Sequence, residues 1–337
     1  MVLPTPTATA LLLNVWVTQR ESTACLEAGH EIAREQFLLH QAPRHPQSAA
    51  AARISQEGDT LVIRAGDLAW GLDAKTARII SWRHHGQEQL AAPLTDCFVR
   101  APLDNDICSS ESDNPSPFSW LAAWRKAGLY DLTCQCTGVR VEPETGEISA
   151  EYRYQHDNVT LLASHWRYRF TQDGAVDIDI RVHRSDKAPA LPRVGIELQL
   201  KHKPTDLSWY GRGPHENYPD RKTSADLGRW QLPLAAMHTP YIFPSDNGLR
   251  CDVSEVSIGL LHISGEFAFS ITEYGLEQLM QADHEVALVP RETLSVHIDG
   301  FHMGVGGDDS WTPSVRPEYL LDASEYQWRL RLGPGAQ

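Results

Sequence analysis

The chain has 337 residues, enough for one large domain or two smaller ones, and its composition of 42% hydrophobic and 22% charged residues is ordinary for a globular protein. The formal net charge is −14, and because a uniformly anionic surface repels phosphate backbones, nucleic acid is excluded as a partner. The apolar run from Leu11 to Val17 is broken by Asn14 and is too short to span a bilayer, so a membrane is excluded as well.

Residues 8 to 40 read as a small piece of a β domain. Four apolar residues alternate with their neighbours at the period of a strand: Leu11, Leu13, Val15 and Val17. Glu35 to Leu39 form a second short strand. Two strands bury too little apolar surface to be stable alone, so this piece belongs to something larger.

Residues 41 to 57 show no apolar period and are rich in Pro, Ala and Gln, which is typical of a linker. From residue 58 to residue 337, strand patterns and turns follow one another at short intervals. The Asp173-Gly174 turn, for example, lies between two alternating apolar runs, which is a strong hairpin signal. Because helical periodicity is nearly absent, this segment is predicted to be a large antiparallel sandwich.

One helix is predicted between Ser116 and Gly128. Ser116 is the expected N-cap, Pro117 suits the first helical position, and Gly128 suits the C-terminal end. Three apolar residues then share one face, which we expect to pack on a sheet: Trp120, Leu121 and Trp124.

The six cysteines indicate free thiols rather than a metal or redox site. Cys134 and Cys136 lack the CxxC spacing, and no second pair lies at metal-ligand spacing. The N-terminus also lacks the basic region of a signal peptide. Both observations lead us to expect a reducing, cytoplasmic location.

Three segments carry residues that could do chemistry. The glycine-rich stretch from Met303 to Asp309 lacks the glycine spacing of a dinucleotide site and reads as a turning loop, on which Asp308 and Asp309 are solvated or capping groups. His297, Asp299 and His302 could bind a metal, but we favour roles as surface polar residues or as polar residues that support their neighbours. The segment from Trp209 to Arg221 is either an active-site loop or a structural clasp held by ion pairs, with the clasp preferred. Its candidate ion-paired residues are Glu216, Asp220 and Arg221.

Four long motifs together resemble one family. They are Arg100-Ala-Pro-Leu-Asp-Asn-Asp-Ile107, the segment Trp209-Tyr-Gly-Arg-Gly-Pro-His-Glu-Asn-Tyr-Pro-Asp-Arg221, Tyr241-Ile-Phe-Pro-Ser-Asp-Asn-Gly-Leu-Arg250, and Asp299-Gly-Phe-His-Met-Gly-Val-Gly-Gly-Asp-Asp-Ser-Trp-Thr-Pro-Ser314. In order and spacing they resemble the C-terminal domain, or separate small chain, of the long β-galactosidases of glycoside hydrolase family 2. Residues 8 to 40 resemble the closing strands of the immunoglobulin-like domain that precedes it.

The resemblance implies an all-β fold, a large antiparallel supersandwich of the galactose-mutarotase-like type over residues 58 to 337, preceded by an immunoglobulin-like remnant over residues 1 to 40. It implies that both catalytic glutamates lie on an upstream (β/α)₈ barrel, which has no room in this chain, so the isolated chain is expected to be inactive. The magnesium and sodium ligands would also lie mainly on that absent part, so this chain is expected to bind no metal.

The residues that the resemblance assigns to the substrate are Trp311, an aromatic platform for the sugar, and Glu111, on a mobile loop from Cys108 to Pro117. The family has a flexible glycine where this chain has Cys108, which affects the hinge of that loop. The expected partners are a galactoside substrate and the barrel-bearing large chain or missing N-terminal part of the same enzyme.

Two other functions stay open from the sequence. A stand-alone carbohydrate-binding module would need a groove with more than one exposed aromatic side chain. An independent epimerase would need a His acid and a carboxylate base facing one sugar, for which His215 with Glu216, or His302 with Asp299, could be proposed.

Overall fold

The structure, a computed structural model, describes residues 10–41, 49–109, 114–309 and 311–335. These residues form two compact units that divide between residues 48 and 49. No helix in the described part of the chain has both the length and the apolar composition needed to cross a membrane.

The first unit is a single antiparallel hairpin of β1 (Ala10–Thr18) and β2 (Glu31–Gln41). Both strands lie where the alternation predicts them. The hairpin leaves seven large apolar side chains exposed: Val15, Trp16, Val17, Ile32, Phe37, Leu38 and Leu39. Such a surface is expected of a hairpin taken from a larger sheet; the immunoglobulin-like assignment itself stays a prediction.

The second unit contains two antiparallel sheets. The smaller has five strands in sequence order: β3 (Ile54–Glu57), β4 (Thr60–Ala65), β5 (Leu68–Asp73), β6 (Ile79–His84) and β7 (Gln87–Glu88). The larger has twelve strands: β8 (Leu90–Cys97), β9 (Thr133–Glu142), β10 (Glu147–His156), β11 (Val159–Phe170), β12 (Val176–Arg184), β13 (Arg193–Leu200), β14 (Asp206–Gly213), β15 (Asp226–Pro233), β16 (Arg250–Ile258), β17 (Leu261–Thr272), β18 (Leu294–His302) and β19 (Glu325–Pro334). Nine of these follow the order β15-β14-β16-β17-β19-β12-β11-β10-β9, and β18, β13 and β8 continue from β17. The predicted large antiparallel all-β domain is confirmed.

Alternation along the strands builds the core between these sheets. In β11, Trp166, Tyr168 and Phe170 are buried while the residues between them are not. The hairpin predicted at Asp173-Gly174 joins β11 to β12, with Gly174 at a φ of 82°. The smaller sheet packs here too, because the Trp70 ring lies 6.2 Å from Phe170 and its Nε1 donates to the Gly174 carbonyl at 2.9 Å.

The predicted linker over residues 41 to 57 is wrong in its second half, so the domain starts before residue 58. Ala52 and Ile54 are buried, and Ile54–Glu57 forms β3. An alanine-rich stretch carries no visible period, yet its backbone pairs with the end of β11, where the Ala52 N–H donates to the Phe170 carbonyl at 2.9 Å. Residues 42–48 lie outside the described part.

The described residues include three α-helices: α1 (Asp104–Ile107), α2 (Trp120–Ala127) and α3 (Leu276–Gln281). The predicted helix is α2, but its N-cap is Ser119, whose Oγ accepts from the Ala122 N–H, and not Ser116. Ser116 instead begins the preceding turn, since its carbonyl accepts from the Ser119 N–H at 2.9 Å. Gly128 ends the helix in the left-handed conformation as predicted, and the face carrying Leu121 and Trp124 is buried.

Candidate functional site

The four motifs, far apart in sequence, meet in one region of the second unit. Arg100, from the first motif, is fully buried and forms a two-pronged ion pair with Asp106 at 2.7 and 2.9 Å. Nη1 donates to the Met303 carbonyl and Nη2, which also contacts Asp106, donates to the Gly304 carbonyl, both at 3.2 Å. The first motif therefore holds the backbone of the fourth through a buried, fully engaged guanidinium.

The second motif holds the same backbone from another side. The Asp220 carboxylate accepts from the N–H groups of Val305 at 3.0 Å and Gly306 at 2.8 Å. Gly304 has to be a glycine here, because an added Cβ would lie 2.6 Å from Asp220 Oδ2. Asp220 thus fixes the start of the glycine-rich loop by close contact with its backbone.

The second and third motifs are joined by Glu216, which is partnered on each oxygen. Oε2 accepts from the Gly248 N–H at 2.8 Å, and Oε1 accepts from Arg221 Nη2 at 2.7 Å and from the Tyr241 hydroxyl. The clasp favoured for this segment is confirmed for Glu216 and Arg221. Asp220 belongs to the same clasp but binds backbone rather than Arg221.

A second buried charge cluster joins the third and fourth motifs. Arg193 lies between Asp299, at 3.2 Å, and Asp246, at 3.5 Å, and all three are buried. His302 Nε2 lies 3.6 Å from Asp246 Oδ2, and its Nδ1 contacts the Met303 carbonyl at 2.8 Å. Burial alone would raise the pKa of Asp246, but Arg193 and then His302 outweigh it and hold the pKa well below the usual range.

Trp311 lies in the loop that follows these buried ion pairs, and it is 78% exposed. Asp309 shapes the turn beneath it, since Oδ1 accepts from the N–H groups of Trp311 at 2.9 Å and Thr312 at 2.8 Å. The hydrogen bond from Trp311, followed by those from Thr312, lowers the pKa of Asp309. The Ser314 hydroxyl closes the turn by donating to the Asp309 carbonyl at 2.8 Å. An exposed indole is therefore carried by an ordered turn.

The paired carboxylates of this loop have structural roles, as expected from the sequence. Asp309 caps the turn, and Asp308 pairs with Arg316 at 3.2 Å on the surface. Within the described part of the chain, both carboxylates are thus engaged in local contacts, whereas glycoside hydrolysis needs two carboxyl groups that face one sugar.

The loop expected to carry Glu111 begins beside the Trp311 loop. The Asn105 amide, in α1, donates to the Val305 carbonyl at 2.8 Å, and α1 ends at Cys108 with a φ of 54°. This left-handed conformation suits glycine, so Cys108 occupies a glycine-type position with a side chain present. Glu111 lies outside the described residues.

The alternative sites are not assembled. His215 Nε2 contacts the Ser224 hydroxyl at 3.0 Å, and Glu216 is committed to the clasp. His302 and Asp299 are buried, so neither faces a surface that a sugar could reach. Among the described residues, no group of three His, Cys, Asp or Glu side chains could hold a metal ion.

Sequence reasoning missed the roles of the buried charges that organise the site: Arg100, Asp106, Arg193 and Asp246. A charged residue inside an otherwise turn-forming or apolar motif was the available signal, as with Arg100 just before Ala-Pro-Leu. A single sequence does not show which of these charged residues, in separate motifs, pair with one another.

Comparison with known proteins identifies the family. The family model described as "Beta galactosidase small chain" matches residues 64–332. A β-galactosidase of Aeromonas hydrophila is 43% identical over 320 residues, which cover 94% of this chain and 31% of that protein. One from Klebsiella pneumoniae is 44% identical over 332 residues, covering 96% of this chain and 32% of that protein.

Among solved structures, the galactose 1-epimerase of Lactobacillus acidophilus NCFM matches 86% of this chain and 99% of that chain with a TM-score of 0.43 and 5% identity. The chain spans about a third of the length of the curated relatives it matches. On the family match over residues 64–332, the chain belongs to the β-galactosidase small chain family.

Proposed function

We propose that this chain is the part of a β-galactosidase that presents Trp311 to the sugar or its leaving group and forms one wall of a shared active site. One observation carries the proposal: Trp311 is 78% exposed, yet its backbone lies in a turn that Asp309 fixes. This turn follows the backbone segment that the buried Arg100–Asp106 ion pair holds. A surface tryptophan without a ligand would not need such support.

The indole is chemically suited to this role. The C–H groups on one face of a pyranose stack on an aromatic ring, and such a contact contributes on the order of 1 kcal/mol. The backbone N–H of Trp311 bonds to Asp309, which fixes the main chain that carries the ring, so less of the loop has to be ordered when a sugar binds.

Hydrolysis itself is assigned to the larger part of the enzyme. A retaining glycosidase needs two carboxyl groups about 5 Å apart across the bond that is cut. Asp308 and Asp309, the acids nearest Trp311 in sequence, are engaged in an ion pair and a turn. We therefore infer that the two glutamates, with the magnesium and sodium sites of the complete enzyme, lie on a barrel-bearing partner or on the absent two-thirds of a longer chain.

Terminal β-D-galactosides such as lactose are the proposed substrates. All six cysteines are free thiols, which supports the proposed cytoplasmic location. The stand-alone sugar-binding module is not favoured, because the family match covers residues 64–332 and relatives of similar sequence are larger β-galactosidases.

The direct test is hydrolysis of o-nitrophenyl-β-galactoside by the purified chain, alone and mixed with a barrel-bearing chain from a relative. We expect activity only in the mixture, together with a new complex in sedimentation. Turnover by the chain alone would place catalytic carboxylates within it and contradict the proposal.

A further inference from the structure

The loop that carries Trp311 has a second exposed side chain with hydrogen-bonding capacity, Arg316. It is the one cation in the sequence between Met303 and Tyr319. Its side chain is 62% exposed and pairs at 3.2 Å with Asp308, which is 76% exposed. A guanidinium has five N–H donors in a planar fork, and among the described residues Nη2 is the nitrogen of Arg316 that makes a hydrogen bond. Donors on Nε and Nη1 are therefore available, at the surface, to a ligand.

The backbone that carries this guanidinium is fixed. The following residue, Pro317, restricts Arg316 to an extended conformation, with φ −64° and ψ 146°. The Arg316 carbonyl accepts from the Tyr319 N–H at 2.9 Å, and the Tyr319 carbonyl accepts from the Gly304 N–H at 3.0 Å. Arg100 holds the Gly304 carbonyl. Arg316 is thus connected to the same buried backbone from which the Trp311 loop begins.

Arg316 also lies close to Trp311, because the loop is folded back on itself. The Trp311 N–H donates to Asp309 Oδ1 at 2.9 Å, and the Ser314 hydroxyl donates to the Asp309 carbonyl at 2.8 Å. Asp308, which binds the guanidinium, is only three residues before Trp311, and even a fully extended chain of three residues spans about 10 Å. A sugar of two rings that touches Trp311 can therefore reach the guanidinium.

The pair with Asp308 contributes little to closing this turn. Water screens an exposed ion pair, so its effect on stability is small. The turn is already closed by the two hydrogen bonds to Asp309. What the Asp308 carboxylate does is orient the guanidinium, since it holds one of its nitrogens.

We propose that Arg316 is a specificity-determining residue, whose N–H groups donate to the hydroxyl groups of a sugar leaving group that stacks on Trp311. This inference rests on the proposed function and names the leaving group as a second sugar ring. An indole face binds the C–H face of a sugar, but it also stacks on an aromatic ring. A guanidinium fork distinguishes the two, because a sugar has hydroxyl acceptors that an unsubstituted phenyl ring lacks.

The test compares lactose with phenyl β-galactoside in the assembled two-part enzyme, with kcat/KM measured as galactose release. Arg316→Met should lower kcat/KM for lactose by about fivefold to tenfold and leave that for phenyl β-galactoside unchanged. Arg316→Lys, which keeps the charge without the fork, should recover part of the lactose activity. The matched control is Arg64→Met, in an exposed ion pair with Glu57 and itself 60% exposed, which should change neither substrate.

Two further measurements separate contact with the sugar from bracing of the loop. Asp308→Ala removes the ion pair but keeps the guanidinium, so it should retain more lactose activity than Arg316→Met. Hydrogen exchange at the Trp311 and Thr312 amides should be unchanged in Arg316→Met, because Asp309 is their acceptor.

The outcomes distinguish this inference from the proposed function. Equal falls for both substrates in Arg316→Met, or no fall for lactose, would overturn the role of Arg316 while Trp311→Ala still lowers kcat/KM for both. An assembled enzyme in which Trp311→Ala changes neither substrate would overturn the proposed function, and the role of Arg316 with it.

Discussion

Arg100 and Asp106 form an ion pair with no exposed surface, their nitrogens and oxygens 2.7 and 2.9 Å apart. The same guanidinium holds the carbonyls of Met303 and Gly304. One pair therefore connects α1, at the root of the loop expected to carry Glu111, with the segment that leads to Trp311.

Breaking this pair should destabilise the domain strongly. Asp106→Ala leaves a buried guanidinium without its counter-ion, which costs about 3 to 5 kcal/mol in the free energy of unfolding. Urea denaturation measures the loss. The matched control is Glu57→Gln in the exposed pair with Arg64, which should leave the midpoint unchanged. Equal effects of the two variants would show that the buried pair is not special.

Removing the cap beneath Trp311 should loosen the turn without unfolding the domain. Asp309→Ala frees the N–H groups of Trp311 and Thr312, which have Asp309 as their acceptor. We expect faster hydrogen exchange at these two amides and an unchanged melting temperature. The control is Asp308→Ala, whose partner is the surface residue Arg316. Unchanged exchange in Asp309→Ala would mean that the turn is held by other contacts.

Asp246 should make the domain sensitive to acid. Its pKa is lowered in the folded state, because Arg193 and His302 outweigh the effect of burial. Stability from the ionised carboxylate is therefore fully present above the unfolded-state pKa of about 3.9 and is lost as the pH falls toward the folded pKa.

The Asp246→Asn variant should lose this part of the pH dependence, measured as the free energy of unfolding between about pH 5 and about pH 2. Asp59→Asn, on an exposed side chain, is the control and should retain the wild-type slope. A wild-type slope in Asp246→Asn would contradict the assignment.

The backbone at Cys108 should discriminate between side chains by shape. Its φ of 54° is left-handed, where a β-branched residue is disfavoured and glycine is not. Cys108→Val should be destabilised by more than about 1 kcal/mol, and Cys108→Gly should be the less destabilised of the two. Thermal unfolding of both variants measures the order, and the reverse order would show that the left-handed turn is not retained.

The strands could be predicted because a strand with one buried face carries apolar and polar residues in alternation. Alternating apolar runs on both sides of Asp173-Gly174, which became β11 and β12, were enough to place a hairpin. The sequence could not decide between Ser116 and Ser119 as the N-cap of α2. Serine is a good N-cap residue at either position, and the geometry of the preceding loop determines which one is used. The start of the domain at β3 was hidden by alanines that carry no period.

The site was predictable only in part. Trp311 came from the resemblance to the family, and the structure adds that it is exposed and capped by Asp309. The ionic frame beneath it could not be read from one sequence, because Arg100 and Met303 are separated by 203 residues and only folding brings them together. Glu111 stays a prediction.

The measurement that tests the central claim most directly is kcat/KM for o-nitrophenyl-β-galactoside in the assembled two-part enzyme, with Trp311→Ala, Trp311→Phe and the exposed-residue control Leu260→Ala. Sedimentation first establishes that each variant assembles. A platform contact worth on the order of 1 kcal/mol predicts a roughly fivefold fall for Trp311→Ala, substantial recovery with Trp311→Phe, and no change for Leu260→Ala. An assembled Trp311→Ala enzyme with unchanged kcat/KM would contradict the account.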